Sequence, residues 1–81
     1  MNALSTARRQ VCILGSTGSI GVNTLDVIAR HPSRYEVFAL TAHRRVEELL
    51  QQCLRWAPRY AVMSDAQAAA ELRQRLKAAG C

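Results

Sequence analysis

A glycine-rich turn set between an apolar run and an amphipathic stretch constrains the opening of this chain more than any other feature. Val11-Cys12-Ile13-Leu14 is apolar throughout, Gly15-Ser16-Thr17-Gly18-Ser19-Ile20-Gly21 follows, and a helical pattern begins at Ser19. A continuous apolar run bounded by glycine is the pattern of a strand buried on both faces. Glycine lets the backbone turn tightly and come close to a ligand. The start of a helix offers unpaired N–H groups and the positive end of its dipole. Strand, glycine turn and helix in that order suit a phosphate group, with Gly15, Thr17, Gly18, Ser19 and Ile20 as candidate contacts. The hydroxyls of Ser16, Thr17 and Ser19 add possible donors. The spacing G-x-x-G-x-x-G differs from the commoner G-x-G-x-x-G, so a plain strand-to-helix turn remains the competing reading. The missing G-K-[ST] ending argues against a nucleoside triphosphatase loop.

The same alternation continues to the end. Ile20, Leu25, Val27 and Ile28 suit a helix face packed on a sheet, and His31-Pro32 ends that helix because proline disfavours helical geometry in the residue before it. Residues 35–40 read as a second strand. Val46, Leu49, Leu50, Cys53 and Leu54 fall at helical spacing, closed by Ala57-Pro58. Residues 60–63 form a short third strand. Ser64 or Asp65 can cap a third helix from 66 to about 79, with Gly80 where a helix C-terminus favours glycine. The expected fold class is α/β: a Rossmann-like three-layer, parallel-sheet β-α-β-α-β-α half of a doubly wound domain spanning residues 11–81, after a flexible N-terminus over 1–10. In that topology the strand feeding the glycine loop lies at a sheet edge, which leads us to expect a truncated part of a larger protein.

Thr41-Ala42-His43-Arg44-Arg45 follows the second strand, where a dinucleotide fold meets the adenosine ribose. NAD-binding chains place an acid about 20 residues beyond the loop to accept from the ribose 2′-OH. Here no acid follows Leu40 until Glu47, and Arg44 and Arg45 offer planar forks of donors suited to a 2′-phosphate. Cations at a helix N-terminus have the wrong sign for its dipole, which points to an anion between them. The expectation is an NADP-binding site; a solvated basic loop is the alternative. His43 reads as a bystander or a packing contact for adenine, and Asp26 as solvent-facing or locally paired.

Composition narrows the classes. The chain has 81 residues, 49% of them hydrophobic, and a net charge of +5 from eleven Lys and Arg against six Asp and Glu. The cations are scattered, whereas nucleic-acid binding calls for a basic stripe on one face, so no nucleic-acid partner is expected. No apolar run approaches a membrane span, and no membrane partner is expected. Cys12, Cys53 and Cys81 are widely spaced, without metal-ligand or disulfide patterning, and Cys12 and Cys53 are expected to be buried thiols in a reducing cytoplasm. No carboxylate pair or His-Cys-Asp cluster is apparent, so the chain shows binding residues without catalytic ones. A non-catalytic nucleotide-binding regulatory module is the alternative that this absence motivates.

The stretch Ile13-Leu14-Gly15-Ser16-Thr17-Gly18-Ser19-Ile20-Gly21, with Thr24-Leu25-Asp26-Val27, Phe38-Ala39-Leu40, Gln52-Cys53 and Pro58-Arg59-Tyr60-Ala61-Val62, resembles the N-terminus of the 1-deoxy-D-xylulose 5-phosphate reductoisomerase family. That resemblance implies an NADPH-dependent oxidoreductase of non-mevalonate isoprenoid synthesis, which isomerises and reduces 1-deoxy-D-xylulose 5-phosphate to 2-C-methyl-D-erythritol 4-phosphate. It implies a divalent cation, Mg or Mn, whose ligands lie outside this chain, a phosphorylated sugar substrate and a cytoplasmic homodimer. It assigns the NADPH phosphates to Thr17, Gly18, Ser19 and Ile20 and the 2′-phosphate to Arg44. The family usually has glycine before that base and asparagine after it, where this chain has His43 and Arg45. The resemblance places metal, substrate and catalytic residues beyond Cys81, so this chain alone is expected to bind without turnover.

Overall fold

The structure, a computed structural model, describes residues 8–80. Strands and helices alternate as β1 (Arg9–Ile13), α1 (Ser19–Ala29), β2 (Tyr35–Ala42), α2 (Val46–Trp56), β3 (Tyr60–Met63) and α3 (Ala66–Ala78). The strands are parallel in the order β1-β2-β3, which leaves β1 at an edge among the described residues. This is the Rossmann-like α/β arrangement that the alternating pattern predicts.

Two strand boundaries and one register depart from the sequence reading. β1 starts two residues early, because Arg9 N–H donates to the Arg34 carbonyl at 2.8 Å and Arg8 pairs with Glu36 at 3.1 Å. Arg9 and Gln10 therefore belong to the sheet, not to a flexible tail; residues 1–7 of that expected tail lie outside the described residues. β2 runs on through Thr41 and Ala42, which brings its end alongside the glycine loop. Between β1 and β2 the register jumps from Val11↔Val37 to Cys12↔Ala39, so Phe38 is an extra residue in β2. Such a bulge changes which face the following residues take. It lets Val37 and Leu40 both be buried, although three residues apart in a regular strand they would point to opposite faces.

One buried cluster joins Ile13, Val37, Leu40, Ala42 and Met63 of the sheet to Leu25 and Ile28 of α1, Leu49, Leu50 and Cys53 of α2, and Ala68 and Leu72 of α3. Leu40 and Leu49 are fully enclosed at 0% exposure. Cys12, expected inside, is exposed. It lies between Val11 and Ile13, which face the cluster, and so points to the opposite sheet face, where Tyr60 and Val62 are also open. On α1 the inward stripe is Gly21, Leu25 and Ile28, and the expected core positions Ile20 and Val27 fall outside it, exposed. Asp65 caps α3, accepting from Ala68 N–H at 3.0 Å. The left-handed φ of 46° at Ala57 ends α2.

Candidate nucleotide-binding site

The loop between β1 and α1 is held open by its own backbone chemistry. Gly15 has φ +69°, a left-handed conformation that glycine takes without cost. A turn closes from Gly18 N–H to the Gly15 carbonyl at 3.1 Å. Gly21 is needed for contact: a Cβ there would lie 2.4 Å from the Gly15 carbonyl oxygen and 2.6 Å from Ser16 Cα. The first turn of α1 thus rests directly on the loop.

Two elements clamp the loop from behind. From β2, Thr41 Oγ1 accepts from Gly15 N–H at 3.0 Å, and the Thr41 carbonyl accepts from Ser16 N–H at 2.8 Å and from the Ser16 hydroxyl at 3.3 Å. From α2, Gln52 Nε2 donates to the Ser16 carbonyl at 2.8 Å. Ser16 is fully buried, so its hydroxyl serves the clamp and not a phosphate. This corrects the sequence reading, which counted it among the donors. Thr17, Gly18, Ser19 and Ile20 lie on the other side, half-buried at Thr17 and exposed at the other three. Gly18 is the N-cap of α1, has no side-chain cap, and is followed by a first turn free of acidic residues. The opening amides of Ser19 and Ile20 have no acceptor inside the helix. An anion fits there by charge and by space, since the nearest atom to a Cβ on Gly18 would be the Gly15 carbonyl oxygen, 3.4 Å away.

The basic turn follows the end of β2 and is fastened to the β3–α3 loop. Ser64 N–H donates to the Ala42 carbonyl at 3.0 Å and Asp65 N–H to the His43 carbonyl at 3.2 Å, while His43 Nδ1 hydrogen-bonds the Ser64 hydroxyl. His43 is therefore a fastening residue. Arg44 Nε lies 3.7 Å from Asp65 Oδ1, and Arg45, the N-cap of α2, lies 3.8 Å from Glu48 Oε2. Protein carboxylates answer both cations, so the dipole mismatch does not by itself call for an external anion. The pairs are long and open, with the arginine side chains 73% and 65% exposed, and pairs of this kind hold a cation weakly. Both arginines stay available to a ligand.

Thr41, Gln52, Ser64 and Asp65 are the supporting residues that sequence reasoning did not assign to the site. Thr41 carried a signal, a lone hydroxyl following the apolar run Val37-Phe38-Ala39-Leu40. Gln52 carried a fainter one, a polar residue beside the apolar stripe of α2. Elsewhere, Asp26 pairs with Arg30 at 2.9 Å one helical turn away, as a local partner. Among the described residues no three His, Cys, Asp or Glu side chains gather as metal ligands would, and no helix is long and apolar enough to cross a membrane.

A parallel sheet whose first strand passes through a glycine turn into an uncapped helix, with cations beyond the second strand, places the chain in the Rossmann-like class of nucleotide-binding folds. The sequence model for 1-deoxy-D-xylulose 5-phosphate reductoisomerase matches residues 11–81, and the chain belongs to that family. It is 62% identical over 72 residues to the reductoisomerase of Aromatoleum aromaticum and 61% identical over 75 residues to that of Nitrosomonas europaea. These matches take in 89% and 93% of the chain and 18% of each relative's length. Among solved structures, a magnesium complex of DOX-P reductoisomerase superposes with a TM-score of 0.86 at 39% identity, covering 91% of this chain and 18% of that one. The Zymomonas mobilis reductoisomerase in complex with NADPH superposes with a TM-score of 0.81 at 43% identity, covering 86% and 18%.

Proposed function

We propose that this chain forms the NADPH-binding opening of a 1-deoxy-D-xylulose 5-phosphate reductoisomerase, the enzyme that isomerises and reduces that sugar phosphate to 2-C-methyl-D-erythritol 4-phosphate. The observation that carries this reading is the clamped loop: Thr17, Gly18, Ser19 and Ile20 face outward at an uncapped helix start, in a chain whose family includes a solved NADPH complex. In this reading the backbone of those four residues, with Gly15 giving the turn, holds the pyrophosphate. Arg44, with Arg45 beside it, holds the 2′-phosphate. NADPH supplies the hydride when bound, and this chain's own part is to grip and orient the nucleotide. The divalent cation, Mg or Mn, and the phosphorylated sugar belong to residues outside this chain, and the full-length protein is read as a cytoplasmic homodimer. Binding without turnover is accordingly proposed for these 81 residues alone.

Arg44→Asp tests the reading through nucleotide selectivity. One charge-assisted bond to phosphate contributes roughly 1.5–3 kcal/mol, so NADPH affinity should fall about tenfold to a hundredfold while NADH affinity stays within about twofold. Isothermal titration with each nucleotide measures both. Equal losses for the two, or none, would remove Arg44 from the 2′-phosphate site.

A further inference from the structure

Ser16 and Thr17 are the two central residues of the turn that Gly18 N–H closes onto the Gly15 carbonyl. The peptide between them is the softest unit of such a turn, since the two commonest turn types differ mainly by its rotation. A trans peptide is planar, with its C=O and N–H pointing in opposite directions. Whatever holds the Ser16 carbonyl therefore also aims the Thr17 N–H. Gln52 Nε2 holds that carbonyl from α2 at 2.8 Å, and Thr17 N–H has no acceptor among the described residues. Gln52 keeps its amide in place for this bond: among the described residues its Oε1 is buried without a partner. Turning the amide over would set two oxygens against each other, so the donor must face Ser16. Thr17 keeps a negative φ, so the turn's own preference agrees with the orientation that Gln52 fixes.

Building on the NADPH reading above, we propose that Gln52 is a positioning residue for nucleotide binding: by fixing the Ser16–Thr17 peptide from behind, it points the Thr17 N–H outward as a phosphate donor. Gln52 itself does not touch the nucleotide. Its effect falls on the pyrophosphate grip that NADPH and NADH share, and leaves the 2′-phosphate contact alone.

Gln52→Met keeps the length of the side chain and removes the donor. Titrating NADPH and NADH into the unsubstituted chain and the variant, followed by isothermal titration and by amide NMR, gives the test. Dissociation constants for both nucleotides should rise about tenfold, equivalent to about 1.4 kcal/mol, with their ratio unchanged. In the unsubstituted chain the Thr17 amide proton should move downfield as NADPH binds, and in the variant it should move less. A lower melting temperature with unchanged dissociation constants would show Gln52 to be structural only and overturn the proposal, as would a changed NADPH-to-NADH ratio. Should Gln52→Met fail to fold, the Thr17 resonance of the unsubstituted chain decides: movement with NADPH supports the proposal, and a stationary resonance overturns it. Failure of the unsubstituted chain to bind either nucleotide would overturn the functional reading and this proposal together, whereas normal binding alongside an unaffected variant would overturn the proposal alone.

Discussion

Three glycines of the loop make different demands, and alanine substitution separates them. At Gly21 an added Cβ would stand 2.4 Å from the Gly15 carbonyl oxygen, 2.6 Å from Ser16 Cα and 2.8 Å from Ser16 C, all below the 3.0 Å that real Cβ contacts respect. These are backbone atoms on a loop tied down by Thr41 and Gln52, so no side chain can swing aside. Overpacking of this kind costs about 1–3 kcal/mol, and the lack of a flexible neighbour puts Gly21→Ala near the top of that range. Alanine regains about 1 kcal/mol of helix propensity, leaving a net loss of about 2 kcal/mol. For a domain of this size that is a fall in melting temperature of about 8–16 °C. Gly15→Ala meets no atom within 4 Å but keeps φ +69°, a strain of about 1–2 kcal/mol. Gly18→Ala has an ordinary φ of −78° and its nearest neighbour at 3.4 Å, so stability should hardly change. Its methyl group would instead enter the space in front of the α1 amides and weaken NADPH binding. Thermal denaturation followed by circular dichroism, with NADPH titration below the transition, reads both effects. A Gly21→Ala chain melting within a degree or two of the parent, or Gly18→Ala as the most destabilised of the three, would refute the account of close contact between α1 and the loop.

Two further substitutions test the supports of the site. Asp65→Asn keeps an acceptor for Ala68 N–H, and Asn caps about as well as Asp, so stability should hold; it removes the carboxylate facing Arg44. An exposed pair of this length is worth at most about 1 kcal/mol, so NADPH should bind up to about fivefold more tightly with NADH unchanged, as parallel titrations would show. Ala57→Gly relieves the left-handed φ of 46° that ends α2, at the cost of a more flexible unfolded chain. The net gain of about 0.5 kcal/mol should raise the melting temperature by about 2–4 °C in a denaturation scan.

Local signals carried most of the fold. The order of elements followed from apolar runs punctuated by glycine and proline, the bounds of β3 were legible to the residue, and the cap of α3 was narrowed to Ser64 or Asp65, of which the structure uses Asp65. Burial at β1 was not. An all-apolar run reads as a strand covered on both faces, but Cys12 and Leu14 are exposed. The same limit applied to α1, where Ile20 and Val27 looked like core while a glycine, Gly21, held the inward position. Hydrophobicity marks residues that can be buried; which of them are buried depends on the neighbouring element, and a single sequence does not display it. In the candidate site the outward residues were readable because glycine and arginine have few roles in such places. The inward clamp was not, because Thr41 and Gln52 are separated from the loop by about 25 and 36 residues and meet it only through tertiary hydrogen bonds.

That clamp explains how one strand end can set the geometry of two distant contacts. In open α/β sheets ligands gather at the carboxyl ends of the strands, and here all three strand-end loops are tied to β2. Thr41 binds the glycine loop through its hydroxyl oxygen and its carbonyl. One residue on, the Ala42 carbonyl accepts from Ser64, and the next carbonyl, that of His43, accepts from Asp65. Three successive residues thus fix the glycine loop on one side and the base of the arginine turn on the other. On the proposed reading, a nucleotide bridging the two would meet a preset spacing, with little ordering left to be done on binding. The arginine side chains keep their freedom while the backbone beneath them is pinned. Substitutions at Thr41, which remove the hydroxyl oxygen that holds Gly15 N–H, should accordingly disturb the glycine-loop contact as those at Gln52 do, whereas those at Arg44 disturb only the proposed 2′-phosphate contact.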